Sequence, residues 1–200
     1  MSISKLFLLS MSLTVTVCIG AAYPAAAAES SVYVSMRDAY LGDNIFPSPI
    51  EGLRQLKVDA VEVSLGRDFS VPSLENGKEK VFLKSDDDAK AFRQNAEKLG
   101  VKICAVLTAC DFSGADMASN TAWVARAIQI ADLLGASAVR IDSAMAKEKE
   151  LNFDERVKLF ADGLSGALKQ TADLKVTLGI ENHGFQGNNL AFLLNVFQMV

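Results

Sequence analysis

The sequence predicts an α/β protein in which parallel strands alternate with helices. Three observations carry the prediction. Five short apolar runs rich in Val, Ile and Ala begin roughly 28 to 42 residues apart. The segments between them place apolar residues at the three-to-four spacing of one helix face. Most of those segments open on a capping residue or close on glycine.

Taken in order, Ser31 to Met36 forms the first strand, and Ser48-Pro49-Ile50-Glu51 opens a helix. The serine caps, proline suits the first turn, and the glutamate three residues on completes a capping box. Ala60 to Leu65 is the second strand. The polar stretch Gly66 to Lys84, holding Pro72 and Gly77, reads as a long loop, either an active-site loop or a surface insertion. Ser85 caps a helix carrying Ala89, Phe92, Ala96 and Leu99, and Gly100 ends it. Asp86, Asp87 and Asp88 sit where they complement that helix's dipole rather than form a metal cage.

Val101 to Leu107 is the third strand. A helix starting at Ser119 or Asn120 carries Trp123, Ala127, Ile130 and Leu134 and stops at Gly135. Ser137 to Asp142 is the fourth strand. Asn152 and Glu155 box the start of a helix with Phe153, Val157, Phe160, Leu164 and Leu168 on one face. Val176 to Glu181 is the fifth strand, and Leu190, Leu193, Leu194, Phe197 and Val200 begin another helix.

Two architectures accommodate five such units: a doubly wound open sheet, or part of an eight-stranded (β/α)8 barrel. No GxGxxG or GxxxxGK[ST] motif is present to mark a phosphate loop. The last helix runs into Val200 without a stop signal. The barrel is therefore the expectation, with about five of its eight βα units in these residues.

Composition narrows the function. Half of the residues are apolar, enough for a substantial core, and the net charge is −4 with a single histidine. A mildly acidic chain gives no electrostatic footprint for nucleic acid. Residues 1–28 read as a secretory signal: Lys5 gives the positive end, Leu6 to Ile19 the apolar stretch, and Ala26 to Ala28 a cleavage site. The expected location is periplasmic or secreted, with residues 29–200 as the mature barrel domain and no stable membrane span after cleavage. Cys104 and Cys110, separated by extended strand, lie beyond disulfide reach and are expected as free thiols.

The candidate chemistry lies at strand C-terminal ends, where parallel α/β proteins place their sites. Val176 to Gly184 delivers Glu181, Asn182 and His183 to a glycine-containing loop, with Gly184 and Gly187 allowing close approach to a ligand. Glu181 is either a solvated or capping acid, or a ligand for a hard divalent cation and a general base. His183, two residues on, could ligate or bind a substrate hydroxyl. Arg140 and Asp142 share a strand face and could pair with each other. Glu62, in an apolar strand, needs a partner, and Arg140 is a candidate. Asp111 serves equally well as a cap or in chemistry.

The chain resembles the xylose isomerase-like TIM barrels, the sugar phosphate isomerase/epimerase superfamily. The resemblance spans most of Ser31 to Val200 and rests on four segments: Asp59 to Val63, Leu99 to Ile103, Ala131 to Ile141, and above all Leu178-Gly179-Ile180-Glu181-Asn182-His183-Gly184. It implies that Glu181, at the end of the fifth strand, binds a divalent metal (Mn, Mg, Co or Zn) and takes part in proton transfer beside a carbonyl. It implies a sugar or polyol substrate held by His183, Arg140 and Asn182. The family's remaining ligands, an Asp, a His and a Glu, come from the sixth to eighth strands, which these residues do not contain. An exported carbohydrate-binding α/β module without catalysis, a DNA-repair endonuclease of the same superfamily and an inactive truncated product stand as alternatives. Acidic charge and the export signal oppose the endonuclease.

Overall fold

The computed structural model describes residues 33–42, 45–112, 116–143, 146 and 148–200. The expected signal segment and its cleavage point lie outside the described residues. Among the described residues seven strands and six α-helices follow one another: β1 Ser35–Arg37, α1 Pro49–Leu56, β2 Ala60–Ser64, β3 Ser70–Pro72, β4 Lys80–Phe82, α2 Asp86–Lys98, β5 Lys102–Leu107, α3 Met117–Leu134, β6 Ala138–Asp142, α4 Phe153–Gln170, β7 Thr177–Glu181, α5 Gly184–Gly187 and α6 Leu190–Met199. A single 3₁₀ turn, Asp38–Tyr40, follows β1.

The principal sheet is parallel, in the order β1-β2-β5-β6-β7. That order advances in one direction without reversing. A doubly wound sheet must reverse at its switch point, so the order selects the barrel-type winding. Neighbouring helices pack in the same succession, α2 on α3, α3 on α4 and α4 on α6. Among the described residues β1 pairs only with β2 and β7 only with β6, so each presents one unpaired edge.

Residue alternation decides what each strand face carries. In β2, Val61 and Val63 are buried while Glu62 and Ser64 are half-buried. In β6, Val139 and Ile141 are buried while Arg140 and Asp142 are half-buried. The valines and isoleucines enter the core, and the polar residues share the opposite face. A bulge beside Cys104 shifts the β2–β5 register between Val61 and Glu62, and the Cys104 thiol donates to the Val61 carbonyl.

Several helix boundaries follow the expected local chemistry. Ser85 and Asp88 form a complete capping box at α2, as do Asn152 and Glu155 at α4. At α1 only half of the expected box forms: Ser48 accepts from Glu51 N, but the Glu51 carboxylate turns to Arg54 at 2.7 Å. Gly100 and Gly135 end α2 and α3 with φ of +75° and +74°, a conformation that costs glycine no Cβ clash. Helix α3 starts at Met117, earlier than expected, because Asn120 is not its cap; its side chain accepts from Arg67 instead.

Two expectations are corrected. The stretch Gly66 to Lys84 is not a plain loop but contains the antiparallel hairpin β3–β4, with Val71 opposite Val81. Buried Val71, Leu74 and Leu83 fasten it to the core, and hydrophobic burial overrides the breaking tendency of Pro72 and Gly77. In α6, Phe192 and Val196 are the buried positions, whereas Leu190, Leu194 and Phe197 face outward. The helix packs on α4 through the stripe next to the expected one.

Cys104 and Cys110 are both free and buried. Burial pushes the Cys104 thiol up, and pushes Cys110 up to about 12, with Asp142 and Asp111 adding to the effect. Neither thiolate is accessible near neutral pH. Native protein at pH 8 should leave both cysteines unlabelled by iodoacetamide, and 6 M guanidinium should expose them. Peptide mass mapping reads this directly, and native labelling of Cys110 would contradict the burial.

Candidate active site

The C-terminal ends of β1, β2, β5, β6 and β7 border one cleft of about 450 Å³, within the usual range of small-molecule sites. Arg37, Tyr40, Ser64, Thr108, Arg140 and Glu181 are among the residues lining it, together with Asp142 and His183. The strand register explains the convergence. Arg140 stands opposite Gly179 and Asp142 opposite Glu181, so two carboxylates from neighbouring strands reach the rim side by side.

Two like charges at this spacing need a counter-charge. Arg140 supplies it. Its Nη1 contacts Glu181 Oε2 at 2.7 Å and also pairs with Asp142 Oδ1. The proposed pairing of Arg140 with Glu62 does not occur. Glu62 instead accepts from Ser35 Oγ at 2.8 Å, because the neighbouring strand β1 is nearer than β6. His183 Nδ1 lies 4.0 Å from Glu181 Oε2. Asp142, Glu181 and His183 each offer one ligand atom, all within 4.8 Å of one another. Two hard oxygens and an imidazole nitrogen suit a divalent cation of the Mn, Mg, Co or Zn group.

The placement of His183 has a visible cause. Residue alternation sends Glu181 and His183 to one side and Asn182 to the other. Asn182 accordingly donates to Asn188 Oδ1 at 3.4 Å and does not line the cleft. Ser143, fully buried after β6, acts as a latch. Its hydroxyl donates within reach of two carbonyls, Glu181 O at 2.6 Å and His183 O at 2.9 Å, and accepts from His183 N at 2.9 Å. Gln186 Nε2 closes the knot by donating to Ser143 O at 2.6 Å. Gly187 packs directly on Ser143, where a Cβ would collide with the hydroxyl. The expected glycine loop is thus a single helical turn, α5, pressed against the end of β6.

Ser143→Ala should therefore remove the part-buried partner of the Glu181 and His183 backbone groups, at a cost of about 0.5–1.5 kcal/mol. It should loosen the carboxylate–imidazole geometry as well. Urea denaturation and the divalent-metal dissociation constant measure the two effects. An unchanged value for both would show that Ser143 positions nothing.

On the other side of the cleft, Asp38 is buried after β1 and accepts from both Ser64 N and Ser64 Oγ at 2.6 Å. Burial pushes its carboxyl above the ordinary range, while the bonds from Ser64 act in the opposite direction. Arg37 donates from Nε to Ser64 Oγ at 3.4 Å. Sequence reasoning singled out Glu181, His183, Arg140 and Asp142 but passed over Arg37, Asp38 and Ser64. The available signal was position. Ser64 is two residues past Glu62 on the same strand face, and Arg37-Asp38 follows directly on the first strand. Asp111, at the same rim, accepts from Ala146 N at 3.2 Å.

Comparison with known proteins agrees with the fold. The family described as "Xylose isomerase-like TIM barrel" matches residues 50–200. Among curated proteins none matches the sequence. Similar solved structures include a sugar phosphate isomerase/epimerase from Parabacteroides distasonis, 16% identical with a TM-score of 0.56, covering 76% of this chain and 52% of that one. They also include a D-psicose 3-epimerase crystallised in the presence of D-fructose, 16% identical, TM-score 0.57, covering 82% and 60%. A 3-keto-D-glucoside 4-epimerase from E. coli is 12% identical with a TM-score of 0.59, covering 84% and 64%. At such identities the likeness concerns the fold. The chain spans between 52% and 64% of the length of these structures.

Proposed function

The chain belongs to the xylose isomerase-like TIM barrel family, and from that premise we propose that it serves as an exported sugar isomerase or epimerase. The reaction would move a proton on a carbon next to a sugar carbonyl. The observation that carries the proposal is the convergence of Asp142, Glu181 and His183 at two adjacent strand ends, within one cleft.

Glu181 Oε2, an Asp142 oxygen and His183 Nδ1 would hold a divalent cation. When bound, such a cation polarises carbonyl and hydroxyl oxygens and stabilises enediolate charge. The protein groups do the rest. For an isomerisation the Glu181 carboxylate would take the proton from the carbon beside the carbonyl and return it to the former carbonyl carbon, whereas an epimerisation would need a second group on the opposite face to return it. Arg140 holds the two carboxylates close together, and offers its remaining donors to substrate hydroxyls. His183, exposed at the rim, binds a hydroxyl or relays a proton. The structural relatives named as an isomerase/epimerase and as epimerases support a small sugar or polyol as the substrate class. The signal-like residues 1–28 support export to the periplasm or beyond, and no helix among the described residues is long and apolar enough to cross a membrane.

The deciding experiment incubates the full chain with ketoses and aldoses in D₂O and follows exchange at the carbon next to the carbonyl by NMR. Exchange should require a divalent metal, stop with EDTA and resume on adding Mn²⁺ or Zn²⁺. Sugar binding without exchange under any metal would replace the enzyme with the carbohydrate-binding reading.

A further inference from the structure

The chain contains seven arginines, all described, and six have evident partners. Arg54, Arg93 and Arg126 form surface ion pairs. Arg140 bridges Asp142 and Glu181. Arg67 lies over the Trp123 ring, and Arg156 over Phe153 and Phe185. Arg37 alone has neither an ion pair nor a ring among the described residues. It is half-buried and lines the cleft at the end of β1, across the sheet from β7.

Arg37 is held rather than loose. Buried Asp38 spends one oxygen on Ser64 N and the other on Ser64 Oγ. The Ser64 proton is thereby committed, and its lone pairs are left to accept from Arg37 Nε. Neither Asp38 oxygen bonds the guanidinium. The two terminal nitrogens of Arg37 consequently keep their donors free, in the planar fork that matches a carboxylate or phosphate. Asp38 attracts the guanidinium electrostatically without taking a hydrogen bond from it, so the fork keeps its donors for a ligand. It gains most from a bidentate anionic ligand.

We propose that Arg37, braced by Ser64 and Asp38, anchors an anionic group of the substrate, a carboxylate or a phosphate, at the β1 side of the cleft. The inference rests on the sugar-processing reading of the same cleft and sharpens it. The substrate is an acidic sugar, gripped by its oxyanion at Arg37 while its carbonyl end reaches Glu181. Specificity then comes from two chemically opposite poles. The Arg37 side takes the anion, and the side carrying Asp142 and Glu181 takes hydroxyls, with or without a cation.

Isothermal titration of the full chain tests this with two matched pairs of probes, fructose 6-phosphate against fructose and glucuronate against glucose, with inorganic phosphate alone as a control. In at least one pair the anionic sugar should bind tighter than its neutral counterpart, by about 10- to 100-fold. Arg37→Met should erase that advantage, and Arg37→Lys should keep part of it. The pair that responds assigns phosphate or carboxylate. Equal binding within both pairs overturns the proposal, as does an advantage that survives in Arg37→Met. Inorganic phosphate binding as tightly as the sugar phosphate, indifferent to Arg37, would reveal an adventitious ion only and also overturn it. Glu181→Gln separates the two layers. Loss of exchange chemistry with the anion advantage absent refutes the Arg37 anchor alone. An intact advantage with chemistry indifferent to Glu181 refutes the catalytic reading alone.

Discussion

Glu181→Gln should lower metal-dependent proton exchange by at least about 100-fold, the range associated with a positioned general base, while leaving the protein folded. The side chain is 44% exposed and makes its closest polar contact, 2.7 Å, with Arg140. Glutamine preserves shape and can still accept a hydrogen bond, but it removes the charge. Arg140 is not stranded by the change, because Asp142 still pairs with it. A buried unpaired cation, the usual source of large destabilisation in such variants, is thereby avoided. The urea midpoint should consequently stay close to that of the parent, within about 0.5 kcal/mol. Divalent-metal affinity should fall together with activity, since glutamine is a weaker ligand than carboxylate for a hard cation. Unchanged exchange at saturating metal would remove Glu181 from the reaction. Loss of folding would show that the carboxylate is structural.

Much of this site was legible in the sequence because it rests on short-range rules. The rank of Ile180-Glu181 as the end of the fifth parallel strand follows from counting apolar runs, and the two-residue period puts Arg140 with Asp142 and Glu181 with His183. The same period argues against Asn182, which the chain turns toward Asn188. What stayed hidden depends on neighbours distant in sequence. That Arg140 selects Glu181 over Glu62 is a consequence of strand order, as β6 pairs with β7 while β1 and β5 flank β2. The buried latch at Ser143 spans about 40 residues of sequence and leaves no local pattern beyond a serine after a strand. The hairpin β3–β4 was masked by its proline and glycine, although Phe69-Ser70-Val71 alternates in character and Val81-Phe82-Leu83 is an apolar run. Propensity describes the chain one residue at a time. Burial of Val71, Leu74 and Leu83 is a tertiary gain that propensity does not contain.

The largest stability loss should come from Phe160→Ala, at about 3–5 kcal/mol, a large share of the roughly 5–15 kcal/mol that holds a typical domain. Phe160 is fully buried on α4 and meets two rings edge to face: Phe112 at 5.4 Å and 78°, and Phe192 at 5.7 Å and 65°. Phe112 follows β5 near the rim of the cleft, and Phe192 belongs to α6, so one side chain joins the strand end, the long helix and the last helix. Truncation would leave a cavity in the middle of that row and forfeit both ring contacts. Phe160→Leu, which refills most of the volume, should lose much less, because aromatic geometry contributes about 0.5–1.5 kcal/mol per pair beyond area. Phe197→Ala, on the exposed side of α6, should cost almost nothing by comparison. Urea denaturation of the three variants should place them in that order. The double variant Phe160→Ala with Phe192→Ala should fall short of additivity, since the second truncation removes a contact already lost. Strict additivity, or a Phe160→Ala midpoint within about 1 kcal/mol of the parent, would mean that α6 is not docked through this aromatic row. The α5 turn between β7 and α6 would then lack the anchor on its far side that helps keep Glu181 and His183 in place.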